Sequence, residues 1–261
     1  EVKKYKDPIL FDWKDEDGKS VAIISYKSLF LANEIELSVN LNKYLRSKGF
    51  KPRTVFVSTL KNIEIQKTLI NLFKKEKIEI ILTTTSFDSA LRKDKTNEKE
   101  LSFFEILNVP VLQILTSSIS RKAYYDSTIG MNSLDLLMQI VIPEFDSRII
   151  TVPCNFKEIH IIDKNLCSEI TTYKFDIDGI IWITKLISNY LKLSNLKNFE
   201  KKICIVISNY PVKNGRLANG VGLNTPQSLI NILNWLKKEG YNTGDYEENL
   251  TSRDLMSKII K

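Results

Sequence analysis

Four short runs of β-branched and aliphatic residues, separated by stretches of helical period, most constrain how this chain folds. They are Val21-Ala-Ile-Ile24, Arg53-Thr-Val-Phe-Val57, Glu79-Ile-Ile-Leu-Thr83 and Val109-Pro-Val-Leu-Gln-Ile114. Apolar runs this short and nearly unbroken suit strands buried on both faces, as in parallel sheets. Between them a helix is expected from Asn33, its cap, to Lys48, with Gly49 as the stop. Ile65, Leu69, Leu72 and Phe73 mark a second helix and Leu101 to Leu107 a third. Ser133 is expected to cap a fourth, through Leu134, Leu137 and Met138, that stops before Pro143. The alternation predicts an α/β fold, a doubly wound, mostly parallel sheet covered on both faces.

Ligands of such sheets sit beyond the carboxyl ends of the strands. Those ends carry polar loops: Ser25-Tyr-Lys-Ser28, Ser58-Thr59, Thr83-Thr-Thr-Ser-Phe87 and Thr116-Ser-Ser-Ile-Ser120-Arg121. Together they form a candidate cleft on one rim.

The pattern then restarts. Residues 1–20 read as a lead-in, 21–155 as a Rossmann- or flavodoxin-like domain, and 156–200 as a connecting segment with a helix from about Asp176. Residues 201–261 read as the first βα unit of a second α/β domain that continues further. In it Lys202 to Ser208 is expected to be a buried strand with an inert Cys204, and Thr225 the cap of a helix ending at Gly240. The loop from Asn209 to Asn224 is far longer than the roughly two to six residues usual for such connections. Gly215, Gly220 and Gly222 permit close backbone approach, Arg216 suits a carboxylate or phosphate, and Asn214 and Asn219 bring amides. Neither the dinucleotide fingerprint nor the P-loop order is present. The loop is a binding segment or a long structural turn.

Composition narrows the classes. The chain has 261 residues, 43% hydrophobic and 26% charged, which describes a globular protein rather than a disordered one. No run approaches the roughly 18 to 20 apolar residues that span a bilayer, and no signal peptide is visible. Three cysteines without a close pair fit the cytoplasm. The net charge of +7 favours anionic partners, but the basic runs mix in acids and lack an aromatic–basic motif, so nucleic acid is not expected. His160, between Cys154 and Cys167, has no zinc spacing and reads as structural.

Several separate motifs agree on one family. Pro110-Val-Leu-Gln113, Ser127-Thr-Ile-Gly130, Pro143-Glu-Phe-Asp-Ser-Arg-Ile-Ile-Thr151 and Asn209-Tyr-Pro through Leu223-Asn-Thr-Pro226 resemble the large subunit of ATP-dependent cobaltochelatase. That family is shared with the large subunit of magnesium chelatase. The resemblance runs from about Val21 to Tyr241 and looks closer to the cobalt branch; Leu217-Ala218 and Asn224 depart from the family's Ile-Gly and Asp. It implies an internal part of a much longer subunit that binds a tetrapyrrole and inserts Co2+ into a corrin precursor, hydrogenobyrinic acid a,c-diamide. The magnesium branch would insert Mg2+ into protoporphyrin IX. The implied partners are an AAA+ subunit that hydrolyses ATP with Mg2+ and a companion subunit with a metal-ion-dependent adhesion site (MIDAS).

Metal insertion requires ring N–H protons to leave and the metal to shed water. Glu144 and Asp146 are the candidates for both, as proton acceptors or metal ligands: if Pro143 to Arg148 is extended, positions two apart share a face. The competing reading pairs Glu144 with Arg148 locally. Arg148 and Arg216 are candidates for the substrate's carboxylates, with Asn219, Gly220 and Gly222 lining the same substrate-binding loop. Either arginine equally suits a salt bridge between domains. A reading from another class remains: a non-catalytic α/β module holding a small anionic ligand.

Overall fold

The structure, a computed structural model, describes residues 6–87, 102–208, 218–220, 222–246 and 250–260. Seven strands form one sheet: β1 (Ile9–Phe11), β2 (Lys19–Tyr26), β3 (Phe50–Val57), β4 (Ile78–Thr83), β5 (Val111–Ser117), β6 (Ile149–Asp163) and β7 (Ser168–Phe175). Their order is β1-β3-β2-β4-β5-β6-β7. The five central strands are parallel, and β1 and β7 pair antiparallel at the two edges. Counting only the parallel strands, the order is 2-1-3-4-5, the flavodoxin-like winding whose switch point lies between β2 and β4. The expected α/β architecture is therefore present.

Alternation along β2 explains why both faces need helices. Val21 and Ile23 face a core built by Leu37, Leu41 and Leu45 of α2 (Glu36–Ser47) and by Ile180, Ile183, Ile187 and Leu191. Ala22 and Ile24 face the opposite core, with Ile65, Leu69 and Phe73 of α3 (Ile63–Lys75) and Phe103 and Phe104 of α4 (Phe103–Leu107). The remaining helices are α1 (Lys27–Leu31), α5 (Arg121–Asp126), α6 (Ser133–Leu136), α7 (Ile142–Phe145), α8 (Ile177–Asn195), α9 (Thr225–Lys238) and α10 (Ser252–Ile260). Residues 156–191, read from sequence as a connector, supply the end of β6, all of β7 and most of α8, packed within the first compact unit, residues 1–191.

Local expectations shift in instructive ways. Asn33 does not cap α2; it adopts a left-handed conformation at φ 59° after α1, and Ile35 precedes the helix without a side-chain cap. The helix at 133 is capped by Asn132, whose Oδ1 accepts from the Asp135 N–H at 2.9 Å. It does not stop at Pro143. A π-helical turn over Leu137–Val141 lies between α6 and α7, with the Ile142 N–H reaching the Leu137 carbonyl, and the helix runs on to Phe145. Widening the turn just ahead of a residue without an N–H relieves the clash of its ring with the preceding turn.

The second unit, residues 192–261, holds α9, α10 and a small core of Leu229, Ile230 and Leu255. Asn224, not Thr225, caps α9 through the Gln227 N–H, and Gly240 ends it at φ 78°. Residues 202–208 are not a strand. Ile203, Cys204, Ile205 and Val206 are exposed, Val206 at 88%, because no described strand offers them a ladder. Cys204 is therefore open to solvent rather than buried.

The lead-in segment is tied down by charge. Arg46 pairs with Asp12 and, at 2.8 Å, with Glu16; Arg53, only 3% exposed, bonds Glu76 at 2.8 Å and lies over the Trp13 ring. Desolvation would raise the Asp12 carboxyl, but the hydrogen bond and charge of Arg46 outweigh it and hold it below its ordinary 3.8. A carboxyl lowered by folding stabilises above its ordinary value, and that contribution is lost as pH falls through the folded value. The melting temperature is therefore expected to drop below pH 3.8 less steeply in Asp12→Asn than in the parent. A separate test concerns α8: a Cβ on Gly179 would lie 2.6 Å from the Pro153 carbonyl oxygen and 2.8 Å from Cys154 Sγ. Gly179→Ala is expected to cost about 1–3 kcal/mol in urea unfolding, because backbone cannot yield as a side-chain tip does.

Candidate functional site

The carboxyl ends of β2, β4 and β5 meet as expected from the parallel order, and their loops bind one another. The Tyr26 hydroxyl at the end of β2 accepts the backbone N–H of Ser86 at 2.9 Å and of Phe87 at 3.2 Å, both beyond β4. Thr84 Oγ1 lies 3.0 Å from Ser25 Oγ across the switch point. Ser58, at the end of β3, lies apart from this group and donates its N–H to Asp7 at 3.1 Å.

The helical stretch 133–145 closes the rim with polar side chains turned inward. Gln139 accepts the Thr116 N–H at 3.1 Å and donates to Ser86 Oγ at 2.9 Å, joining the β5 and β4 loops. Asp135 Oδ2 accepts the Ser118 N–H at 2.7 Å and its hydroxyl at 2.9 Å. These bonds supply partners for strand-end groups that burial would otherwise leave unsatisfied. Tyr26 belongs to the rim loop Ser25 to Ser28 expected from sequence, whereas Asp135 and Gln139 were not among the residues singled out. A signal for these two existed: they stand four apart in an otherwise apolar helical run.

The motif Pro143 to Arg148 is folded differently from the extended reading. Ile142–Phe145 is helical, and a Schellman turn follows: the Ser147 N–H reaches Glu144 O at 3.0 Å, the Arg148 N–H reaches Pro143 O at 3.1 Å, and Ser147 takes φ 58°. This turn separates the two carboxylates. Glu144 is exposed beside Phe145, whereas Asp146 turns inward against Arg148. The partner of Arg148 is thus Asp146 rather than Glu144.

Arg148 is fully buried and clamps the rim from below. Its Nε and one terminal nitrogen meet Asp146 Oδ2 at 3.0 and 2.7 Å. The guanidinium also donates to the carbonyl of Thr85, to the Phe87 carbonyl at 2.7 Å and to Gln113 Oε1 at 3.0 Å. Its Cζ lies 5.1 Å from the centre of the Phe104 ring. An arginine committed in this way positions the β4 and β5 loops.

Glu144, Asp146 and Arg148 lie in the first unit, and Asn219, Gly220 and Gly222 in the second. Asn219 is exposed, Gly220 bridges to Leu223, and Gly222 takes φ 74° with open space around its α-carbon. Arg216, with Asn214 and Gly215, lies outside the described residues. His160 is exposed on β6 while Cys154 is buried, its thiol pushed up by burial. Among the described residues no three His, Cys, Asp or Glu side chains gather as a metal-binding group, and no helix is long and apolar enough to cross a membrane.

A family profile described as CobN/Magnesium Chelatase matches residues 1–261. An uncharacterized protein of Methanocaldococcus jannaschii is 32% identical over 95% of this chain and 20% of its own length. The aerobic cobaltochelatase subunit CobN of Pseudomonas aeruginosa is 29% identical over 88% of this chain and 18% of its own. The chloroplastic magnesium-chelatase subunit ChlH of Oryza sativa is 22% identical over 95% of the chain. Among solved structures, the catalytic subunit of cobaltochelatase from Mycobacterium tuberculosis shares the fold, with a TM-score of 0.78 at 23% identity over 98% of this chain and 21% of that one. The chain thus spans about a fifth of the length of the relatives it matches.

The clamp makes a stability prediction that separates neighbouring residues. Arg148→Ala leaves Asp146 charged and buried and is expected to cost about 3–5 kcal/mol in urea unfolding. Arg148→Lys recovers little, because one ammonium cannot reach acceptors spread around a planar fork. Glu144→Ala, at an exposed position, is expected to change stability by no more than about 0.5 kcal/mol.

Proposed function

The chain belongs to the CobN/magnesium chelatase family, and we propose that it forms part of the tetrapyrrole- and metal-binding large subunit of an ATP-dependent cobaltochelatase. The observation that carries this reading is the 29% identity to CobN subunits over 87% and 88% of the chain, against 22% to the plant magnesium-chelatase subunit over 95% of it. The substrate metal is Co2+ and the acceptor a corrin precursor of the hydrogenobyrinic acid a,c-diamide type. ATP, with Mg2+, is hydrolysed on a partner AAA+ subunit, with a MIDAS-containing companion completing the complex.

Within the chain the division of labour follows exposure. Glu144 is the proton acceptor: it is exposed at the rim, and a carboxylate there can take a proton from a ring nitrogen as the metal enters. Asp146 and Arg148 hold the turn that presents it, since each is buried against the other. Arg216, Asn219, Gly220 and Gly222 remain the proposed contacts for the substrate's peripheral carboxylates, where guanidinium and backbone donors match carboxylate geometry.

The test is cobalt insertion by the full-length subunit assembled with its ATPase partners. Glu144→Gln is expected to lower the insertion rate about a hundred-fold with little change in substrate KM, since proton transfer is lost while shape is kept. Unchanged turnover in Glu144→Gln removes that residue from proton transfer. An assembled complex that inserts Mg2+ into protoporphyrin IX, and leaves cobalt unused, assigns the chain to the magnesium branch instead.

A further inference from the structure

The run Ile203-Cys-Ile-Val-Ile207 has the composition of an interior strand without the surroundings of one. It contains no charge, proline or glycine. In this it resembles Val21-Ala-Ile-Ile24 of β2, which lies between two strands with helices over both faces. Natural edge strands are kept short or carry charge, because a bare apolar edge recruits other chains. The edges of the first sheet are guarded in this way: β1 has three residues, and β7 exposes Glu169 and Lys174. Residues 203–207 have no such guard, so the run is suited to neighbours on both sides.

The layers around it are half present. Positions two apart on an extended chain share a face. Ile203 and Ile205 line a groove with Leu233 and Leu236 of α9 and with Tyr241, and Ile207 packs beside Leu233 against the small core. That face has its helix. Cys204 and Val206, at the alternate positions, are exposed. Among the described residues no backbone group pairs with 203–207; just beyond, the Ser208 carbonyl accepts the Ala218 N–H at 2.8 Å. A strand along each edge and a cover over Cys204 and Val206 would complete the arrangement.

The described residues hold no spare strand for this. All seven strands are committed to the first sheet, and α9 is followed by the polar Tyr241-Asn-Thr-Gly-Asp-Tyr246 and then by α10, whose Leu255 packs on Leu229 and Ile230. A second copy, pairing run to run about a twofold axis, would cover one edge and leave the other open. The relatives offer more: this chain matches about a fifth of their length. We propose that residues 203–207 are an interior parallel strand of a second sheet, completed by strands that the full-length subunit carries outside residues 1–261. α9 leads out of the run as a right-handed crossover, so the strand it reaches lies parallel. A further crossover helix covers Cys204 and Val206. The inference uses the relatives' length and not their chemistry, so its failure leaves the functional reading standing.

The test is thiol and amide protection in the full-length subunit. Iodoacetamide labelling of Cys204, followed by peptide mass spectrometry, is expected to be at least about a hundred-fold slower in native protein than in urea, because a covered group reacts only through opening. Cys154, buried in the first unit, is the protected reference. Hydrogen exchange over 203–207 is expected to be as slow as over Val21 to Ile24. Both protections, at a concentration where the subunit elutes as a monomer, uphold the proposal. Cys204 labelled in native protein at its urea rate overturns it. Slow labelling with fast amide exchange means an apolar cover without a ladder, and also overturns it. Protection that vanishes when the subunit is diluted to a monomer assigns the run to a contact between copies and overturns it as well.

Discussion

A parallel strand buried on both faces cannot turn back beside itself, and the rest of this structure follows from that restriction. Each of the four connections that join the five parallel strands must be a crossover, so helices cover both faces and the carboxyl ends share one rim. The loops leaving that rim carry backbone groups that the sheet no longer pairs. Their partners are side chains: Tyr26 for Ser86 and Phe87, Gln139 for Thr116, Asp135 for Ser118, Arg148 for Thr85 and Phe87. The chemistry of the rim is set first by this requirement and only then by function.

Two consequences meet in one short segment. The helical stretch 133–145 must be polar inward to serve the rim, so its apolar residues have nowhere to go but outward. The Schellman turn after Phe145 then sends Asp146 and Arg148 under the rim and leaves Glu144 above it. A motif of six residues thereby divides into a buried clamp and an exposed carboxylate. The separation allows the two parts to be tested independently, one by unfolding and one by turnover.

Much of the sheet was legible in the sequence because burial on two faces leaves a local record. Val21 to Ile24, Arg53 to Val57, Glu79 to Thr83 and Val109 to Ile114 each lie within or against an observed strand. In the β6–β7 hairpin, Arg148 to Val152 reads as extended and Glu158 to Asp163 alternates like a strand, whereas β7 was not read, because most of its residues are exposed and leave no apolar pattern. The run Lys202 to Ser208 erred the other way. Its β-branched composition is that of a strand, yet a strand exists only with a neighbour to pair with, and none of the described strands serves.

By itself, then, the sequence determined the α/β class, the shared polar rim and, through four separated motifs, the family. Those are properties written in hydrophobic period, turn residues and the order of motifs along the chain. Tertiary structure decided the role of each motif residue. Whether Glu144 or Asp146 pairs with Arg148 depends on a helical turn and one left-handed residue, Ser147, which seat Arg148 among acceptors from Thr85, Phe87 and Gln113 more than thirty residues away. That long-range choice leaves no local trace in the chain, because any of the three charges could be buried until the groups around it are in place.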